Sequence, residues 1–352
     1  MVIIDYGIKN KRTYTIKMKI LFVPPMNFPL VVGGFQYQVR NIFNSLQKLK
    51  ADVSWYNLTE TNLSDYDIIH IHSTLPELLS VARRAKQFGK KVVLTPMIGS
   101  RAHSNTFYSN CIKLSRIPGV LPDVRITNSL IRMSDFVIPL VRYEHDRLHD
   151  VFDVPFERMK VIPNGMDSGF FETTESDVEI PLKNYLLTIG RIEPNKNQLS
   201  LIKAANKLGK NVIIVGEAGN GHSDYEKQCR REAGENVLFW GKELDKSVLR
   251  KLYKNATLTV IQSYSEILPL VTFESLSQKT PVLCTNQCGF FPEKYNGVFY
   301  TSPDEKSLEK NIPLALNSKC HESINRDGIF TWNDIAQQHI DIYRKLLNIQ
   351  TT

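Results

Sequence analysis

The feature that most constrains this chain is a regular alternation of short apolar, β-branched runs with helical stretches, in two series parted by an acidic segment. The first series runs 20–23, a helical pattern through Val39, Ile42, Phe43, Leu46 and Leu49, then 53–56, 68–71, a helix over 78–88, and 92–94, 136–140 and 159–162. Runs of this length read as strands, and apolar residues three and four apart read as one buried helix face. Parallel strands need helical crossovers, so the alternation predicts an α/β chain with doubly wound parallel sheets. The acidic stretch 172–177 is the expected linker, and a second series opens at Tyr185. At 352 residues the chain is long enough for two cores. The expected division is 1–175, 176–330 and a closing helix over 331–352, with residues 1–17 as an extension before Met18. That helix shows one apolar face of Trp332, Ile335, His339, Ile342, Tyr343, Leu346 and Leu347.

Two segments carry chemistry. The first follows the β-branched run 256–261 and places Glu266 and Glu274 eight positions apart, where a loop turns into a helix. Pro269 suits the first helical position because it lacks the N–H that would go unbonded there. The N–H groups of Leu270 and Val271 then point out of the helix start, where the dipole favours an anion. A Glu on each side of that site fits a ligand with both phosphate and hydroxyl groups, and equally a solvated loop and helix surface. The second segment follows the apolar run 185–189 and reads Gly190-Arg191-Ile192-Glu193-Pro194-Asn195-Lys196-Asn197 before a helical pattern. It puts Arg191 in a strand-to-helix loop, Asn195 at an N-cap and Lys196 in the first turn. Arg grips phosphate with two N–H groups and Lys adds a point charge, which suits a diphosphate. Together the two segments favour the phosphate reading.

These segments resemble the retaining glycosyltransferases of family 4, which have the GT-B fold of two Rossmann-like domains facing a central cleft. The resemblance rests on Gly190, Arg191, Lys196 and Asn197, and on the Glu266 and Glu274 pair. It continues through Gly33-Gly34, the run from Val161 to Asp167, Val215-Gly216-Glu217, Phe239-Trp240-Gly241 and Phe330-Thr331-Trp332. It covers about Lys19 to Leu347. It implies a hexosyltransferase that moves a sugar from a nucleotide-sugar donor, UDP-linked by preference or GDP-linked, to a glycan, lipid-linked or small-molecule acceptor, with retention at the anomeric carbon. In that scheme Arg191, Lys196 and the Leu270 and Val271 amides hold the diphosphate. Glu274 accepts from the ribose, Glu266 contacts the transferred sugar, and Gly34 lets the first-domain backbone approach the phosphate. The last helix crosses back to the first domain. Acceptor binding falls to the first domain near His72, Arg101 and His103. No metal or other cofactor is expected. Pro269 stands where most relatives have glycine, and Met97 where many have a histidine beside the reacting sugar; His103 is the alternative source of that group. A non-catalytic nucleotide-sugar binder and a nucleotide-sugar epimerase or hydrolase of the same fold remain the rival readings.

Charge and cysteine usage narrow the setting. Up to Phe170 there are 22 Lys and Arg against 14 Asp and Glu, and the remainder is balanced. A basic first half suits peripheral contact with an anionic membrane or a lipid-phosphate acceptor, as well as a plain solvated surface. No nucleic-acid module and no Gly-x-Gly-x-x-Gly dinucleotide fingerprint is present. No apolar run is long enough to span a bilayer, and the N-terminus lacks a signal-peptide pattern. Five scattered cysteines argue against zinc and for a reducing, cytoplasmic compartment.

Overall fold

The structure, a computed structural model, describes residues 18–30, 33–98, 104–289, 296–318 and 329–349. Two parallel sheets form it. The first holds β1 (Lys19–Val23), β2 (Asp52–Trp55), β3 (Ile68–His72), β4 (Lys91–Thr95) and β5 (Phe136–Val137) in the order β2-β1-β3-β4-β5. The second holds β6 (Tyr185–Ile189), β7 (Asn211–Val215), β8 (Val237–Gly241), β9 (Leu258–Ile261), β10 (Val282–Thr285) and β11 (Val298–Thr301) in the order β11-β10-β9-β6-β7-β8. Ile20, Phe22 and Ile68 feed the core on one face of the first sheet, and Leu21, Val23 and Ile69 feed the core on the other. Leu187 and Leu186 divide in the same way in the second sheet. Burial on both faces is why these strands read as continuous apolar runs.

Helices α1 (Gly34–Lys48) and α2 (Leu78–Gln87) match the periodic stretches, and α3 (Asn105–Leu114), α4 (Pro122–Met133) and α5 (Arg142–Phe152) fill the interval after β4. The second half carries α6 (Gln198–Leu208), α7 (Ser223–Glu232), α8 (Lys246–Asn255), α9 (Leu270–Ser277) and α10 (Glu305–Leu316). The last helix, α11 (Trp332–Leu346), is closed at its start by a reciprocal Thr331–Asp334 capping box. Its Trp332, Ile335, Ala336, Ile340, Ile342 and Tyr343 join the core of the first sheet beside Val39, Ile42 and Leu46 of α1.

Two expected strands shrink. The segment 159–162 bridges β5 at Val137–Met159 and runs on beside it, the Lys160 N–H donating to the Val137 carbonyl at 3.4 Å and the Ile162 N–H to the Pro139 carbonyl at 3.0 Å, without forming a full strand. The segment 136–140 pairs for only two residues before Pro139, whose ring removes a ladder donor.

The chain crosses between the halves twice, and the crossings lie side by side. The Met166 N–H donates to the Phe330 carbonyl at 2.8 Å, and the Trp332 N–H donates to the Met166 carbonyl at 3.3 Å. The acidic segment after the first crossing is fastened to α8: Arg250 donates to the Gly169 and Thr174 carbonyls, and Lys251 to the Ser176 carbonyl at 2.8 Å.

Candidate active site

In open parallel sheets ligands bind outside the carboxyl ends of the strands, where the strand order reverses. The reversal falls between β1 and β3 in the first sheet and between β6 and β9 in the second. Gly190 and Arg191 leave the end of β6, Ser263 and Glu266 follow the end of β9, and Gly33 lies beyond the end of β1. Topology therefore gathers residues far apart in sequence.

Lys196 ends a short 3-10 turn, Pro194–Lys196, and its ammonium pairs with the Glu266 carboxylate, both groups being largely buried. Ser263 Oγ donates to the same Glu266 oxygen at 3.1 Å. Below them Gln262 Nε2 donates to the Lys196 carbonyl at 2.7 Å, tying the β6 loop to the end of β9. Lys196, Gln262, Ser263, Glu266, Pro269 and Val271 border a cavity of about 20 Å³, enough for one water. Asn195 is not the helix cap. Its amide donates to the Ser265 carbonyl at 3.1 Å, while Asn197, in the left-handed region, starts α6 and donates to the Gln262 and Pro303 carbonyls. Pro269 is the N-cap of α9 rather than its first residue, so Leu270 and Val271 open the first turn, whose N–H groups have no intrahelical acceptor.

Arg191 is half exposed and donates to Glu193 Oε1 at 3.2 Å. Glu193 itself is buried, and sequence reasoning gave it no role. The Gly190–Arg191 turn is shaped by close contact: a Cβ on Gly216 (φ +143°) would lie 2.0 Å from the Gly190 carbonyl oxygen. Across the cleft, a Cβ on Gly33 would lie 4.0 Å from Arg191 Nη2, whereas Gly34 has open space around it. Gly33 thus borders the Arg191 side chain, while the space beside Gly34 is open on the side where a donor phosphate is expected to approach.

Glu274 sits in the next turn of α9, apart from the Lys196–Glu266 pair. Tyr253 Oη donates to Glu274 Oε2 at 2.7 Å. Burial pushes the Glu274 carboxyl above the usual range; the Tyr253 hydrogen bond and the Lys246 charge oppose that shift, and Asp167 adds to it. Burial and Glu274 together push the Tyr253 phenol well up, and burial with Asp167 and Glu274 raises Tyr37 to about 12. Tyr253, Lys246, Asp167 and Tyr37 thus surround Glu274. Sequence reasoning gave Tyr253 no role.

The acceptor assignments fare differently. His72 is wholly buried at the end of β3, with its ring 4.6 Å from Phe22 and 4.1 Å from His70. It belongs to the core beneath α11 and does not face an acceptor. Central strands bury alternate side chains on both faces, so a polar residue at a strand end is no sign of exposure. Arg101 and His103 lie outside the described residues. Met97 has φ +61° and packs, partly buried, against the core of the second half, while Glu144 Oε1 accepts the Ile98 N–H at 2.6 Å. Among the described residues no His, Cys, Asp and Glu cluster is arranged to hold a metal, and no helix is long and apolar enough to cross a membrane.

Two facing Rossmann-like domains with cations and a helix start at the switch point define a GT-B nucleotide-binding architecture. The family model "Glycosyltransferase Family 4" matches residues 23–170, and "Glycosyl transferases group 1" matches residues 171–327. The chain belongs to this glycosyltransferase family. The D-inositol 3-phosphate glycosyltransferase of Segniliparus rotundus is 25% identical over 242 residues, covering 62% of this chain and 54% of that protein. A probable sucrose-phosphate synthase of Thermosipho melanesiensis is 23% identical over 220 residues, covering 58% and 51%. The chain thus spans about half the length of these curated relatives. The crystal structure of Anabaena Alr3699/HepE in complex with UDP superposes with a TM-score of 0.70 at 19% identity, covering 93% of this chain and 100% of that one. It shares the fold.

Proposed function

We propose that the protein transfers a hexosyl group from a nucleotide sugar, UDP-linked by preference, to a glycan or lipid-linked acceptor with retention of anomeric configuration. The observation that carries this reading is the convergence of Lys196, Glu266 and the first turn of α9 at the β6/β9 switch point, with Arg191 and Gly33 across the cleft from one another. Family membership supports it, and so does the UDP bound by a structural neighbour.

As the bond from the anomeric carbon to the diphosphate breaks, negative charge grows on the leaving oxygens. Lys196 has three donors, so it can hold Glu266 and a phosphate oxygen together. Arg191 and the Leu270 and Val271 amides add fixed donors from two further directions. Such groups need no reorganisation during reaction, and they bind the leaving diphosphate more tightly than the ground state. The scheme calls for no metal or cofactor, because these cations carry that role. Glu266, held in place by Lys196 and Ser263, orients hydroxyls of the sugar. Glu274, with one oxygen occupied by Tyr253, accepts from the ribose with the other. The setting is the cytoplasm, at the inner face of a membrane when the acceptor is lipid-linked.

A thermal-shift panel of nucleotide sugars tests the reading, because a ligand that binds only the folded state raises the melting temperature. One donor class is expected to raise it, and NMR of the product from that donor is expected to show the donor's anomeric configuration. A panel without effect, or an inverted product, would overturn the proposal.

A further inference from the structure

The turn between α3 and α4 carries an exposed apolar tip that packing does not account for. Leu114 is 49% exposed, Ile117 53% and Leu121 38%. They surround a turn that is rigid rather than loose. Arg125 reaches back to it, Nε donating to the Ser115 carbonyl and Nη2 to the Ile117 carbonyl, both at 2.7 Å. Backbone bonds from Ile117 to Leu114 and from Val120 to Ile117 complete the tie. Leu121 is held at φ +44°, immediately before Pro122. A leucine gains nothing locally from a left-handed backbone, and a residue before proline is restricted further. Such strain persists only where the surroundings enforce it. The helices themselves are anchored inward through Ile112, Leu130 and Ile131.

Charge identifies the partner. Near the turn the hairpin holds Lys113, Arg116 and Arg125 against the single acid Asp123, while Arg132, at the far end of α4, pairs with Asp153 at 3.3 Å. Lys113 and Arg116 are exposed and flank Leu114 and Ile117. Apolar side chains ringed by cations suit the interfacial zone of an anionic bilayer, where the former enter the acyl boundary and the latter meet lipid phosphates.

We propose that the α3–α4 turn docks the protein on an anionic lipid surface through Leu114, Ile117 and Leu121, with Lys113 and Arg116 on the headgroups. This deepens the reading of a lipid-linked acceptor and rests on it only for its purpose; vesicle binding is measured without donor, so the two can fail separately.

The test is flotation with phosphatidylcholine vesicles, with and without phosphatidylglycerol. The protein is expected to float only with the anionic vesicles, and less as salt rises. Ile117→Asp with Leu114→Asp is expected to lower binding roughly tenfold or more, since it removes two apolar insertions and adds repulsion. Lys113→Gln with Arg116→Gln touches only exposed side chains and is expected to weaken binding and flatten its salt dependence. Affinity for UDP in the same preparations is expected to stay unchanged. Failure of the wild-type protein to float, or undiminished flotation of both variants, overturns the proposal. So does a wild-type dimer that the Asp variant converts to monomer, because the tip would then be a contact between copies.

Discussion

Gly165→Ala isolates the contact between the two chain crossings. Gly165 has no left-handed backbone requirement, so alanine adds one methyl group and nothing else. An added Cβ would lie 2.8 Å from both Cα and N of Trp332 and 2.9 Å from its Cδ2. Ordinary carbon contacts are about 3.5–4.0 Å, so Trp332 must retreat by several tenths of an ångström. Two of the three opposing atoms are backbone, and retreat stretches the 2.8 Å Met166–Phe330 bond and the 3.3 Å Trp332–Met166 bond. Each such bond is worth about 1 kcal/mol and overpacking costs about 1–3 kcal/mol. The expected loss is about 2–4 kcal/mol. Because α11 starts at Trp332 and carries the first-domain core, a fall in melting temperature of several degrees should accompany it. Denaturant titration and thermal melts of the two proteins give the comparison. A loss below about 0.5 kcal/mol would refute the reasoning, since that is the range of an ordinary surface change.

Three further outcomes follow from the site and the buried histidines. Arg191→Ala and Lys196→Ala are each expected to cost about 2–4 kcal/mol in kcat/KM; near-normal turnover in both would remove the diphosphate assignment. Arg191→Ala, at a half-exposed side chain, should leave folding stability little changed, whereas Lys196→Ala leaves the largely buried Glu266 carboxylate without its partner and should lower it. Burial raises the Glu274 carboxyl above its reference value of 4.5. Donor affinity should therefore fall on acidification from a higher pH than an ordinary carboxylate would set, and Glu274→Gln should flatten that limb; an unchanged limb would contradict it. Burial also lowers His339 to about 4 from a reference of 6.5, and lowers His70 and His72 as well. The fold keeps all three neutral, so their contribution is intact above pH 6.5 and is lost as pH falls, because only the unfolded chain takes up protons there. The slope is about 1 kcal/mol per pH unit for each histidine, and melts that do not change between neutral and mildly acidic pH would contradict it.

The strands and helices with strong apolar periodicity were legible because burial on both faces of a parallel sheet leaves a continuous apolar run. The segment 159–162 pairs beside 137–139 but forms no full strand, because the partner segment reaches Pro139 after two ladder residues. Arg191, Lys196, Glu266 and the α9 start were legible because loop and helix signals are local. Their partners were not. Tyr253 meets Glu274 across 21 residues and Lys196 meets Glu266 across 70, and only the strand order brings them together. His72 misled because a histidine at a strand end reads the same whether it faces the cleft or the core.

Isothermal calorimetry with UDP tests the central claim most directly, comparing the wild-type protein with the Arg191→Ala/Lys196→Ala double variant. Both substitutions remove charged, preorganised donors to the same diphosphate, so the affinity is expected to fall by roughly a hundredfold, about 3 kcal/mol. Uridine, which lacks the diphosphate, should bind both proteins alike. Equal UDP affinity in the wild-type and double-variant proteins would contradict the placement of the donor diphosphate at this site.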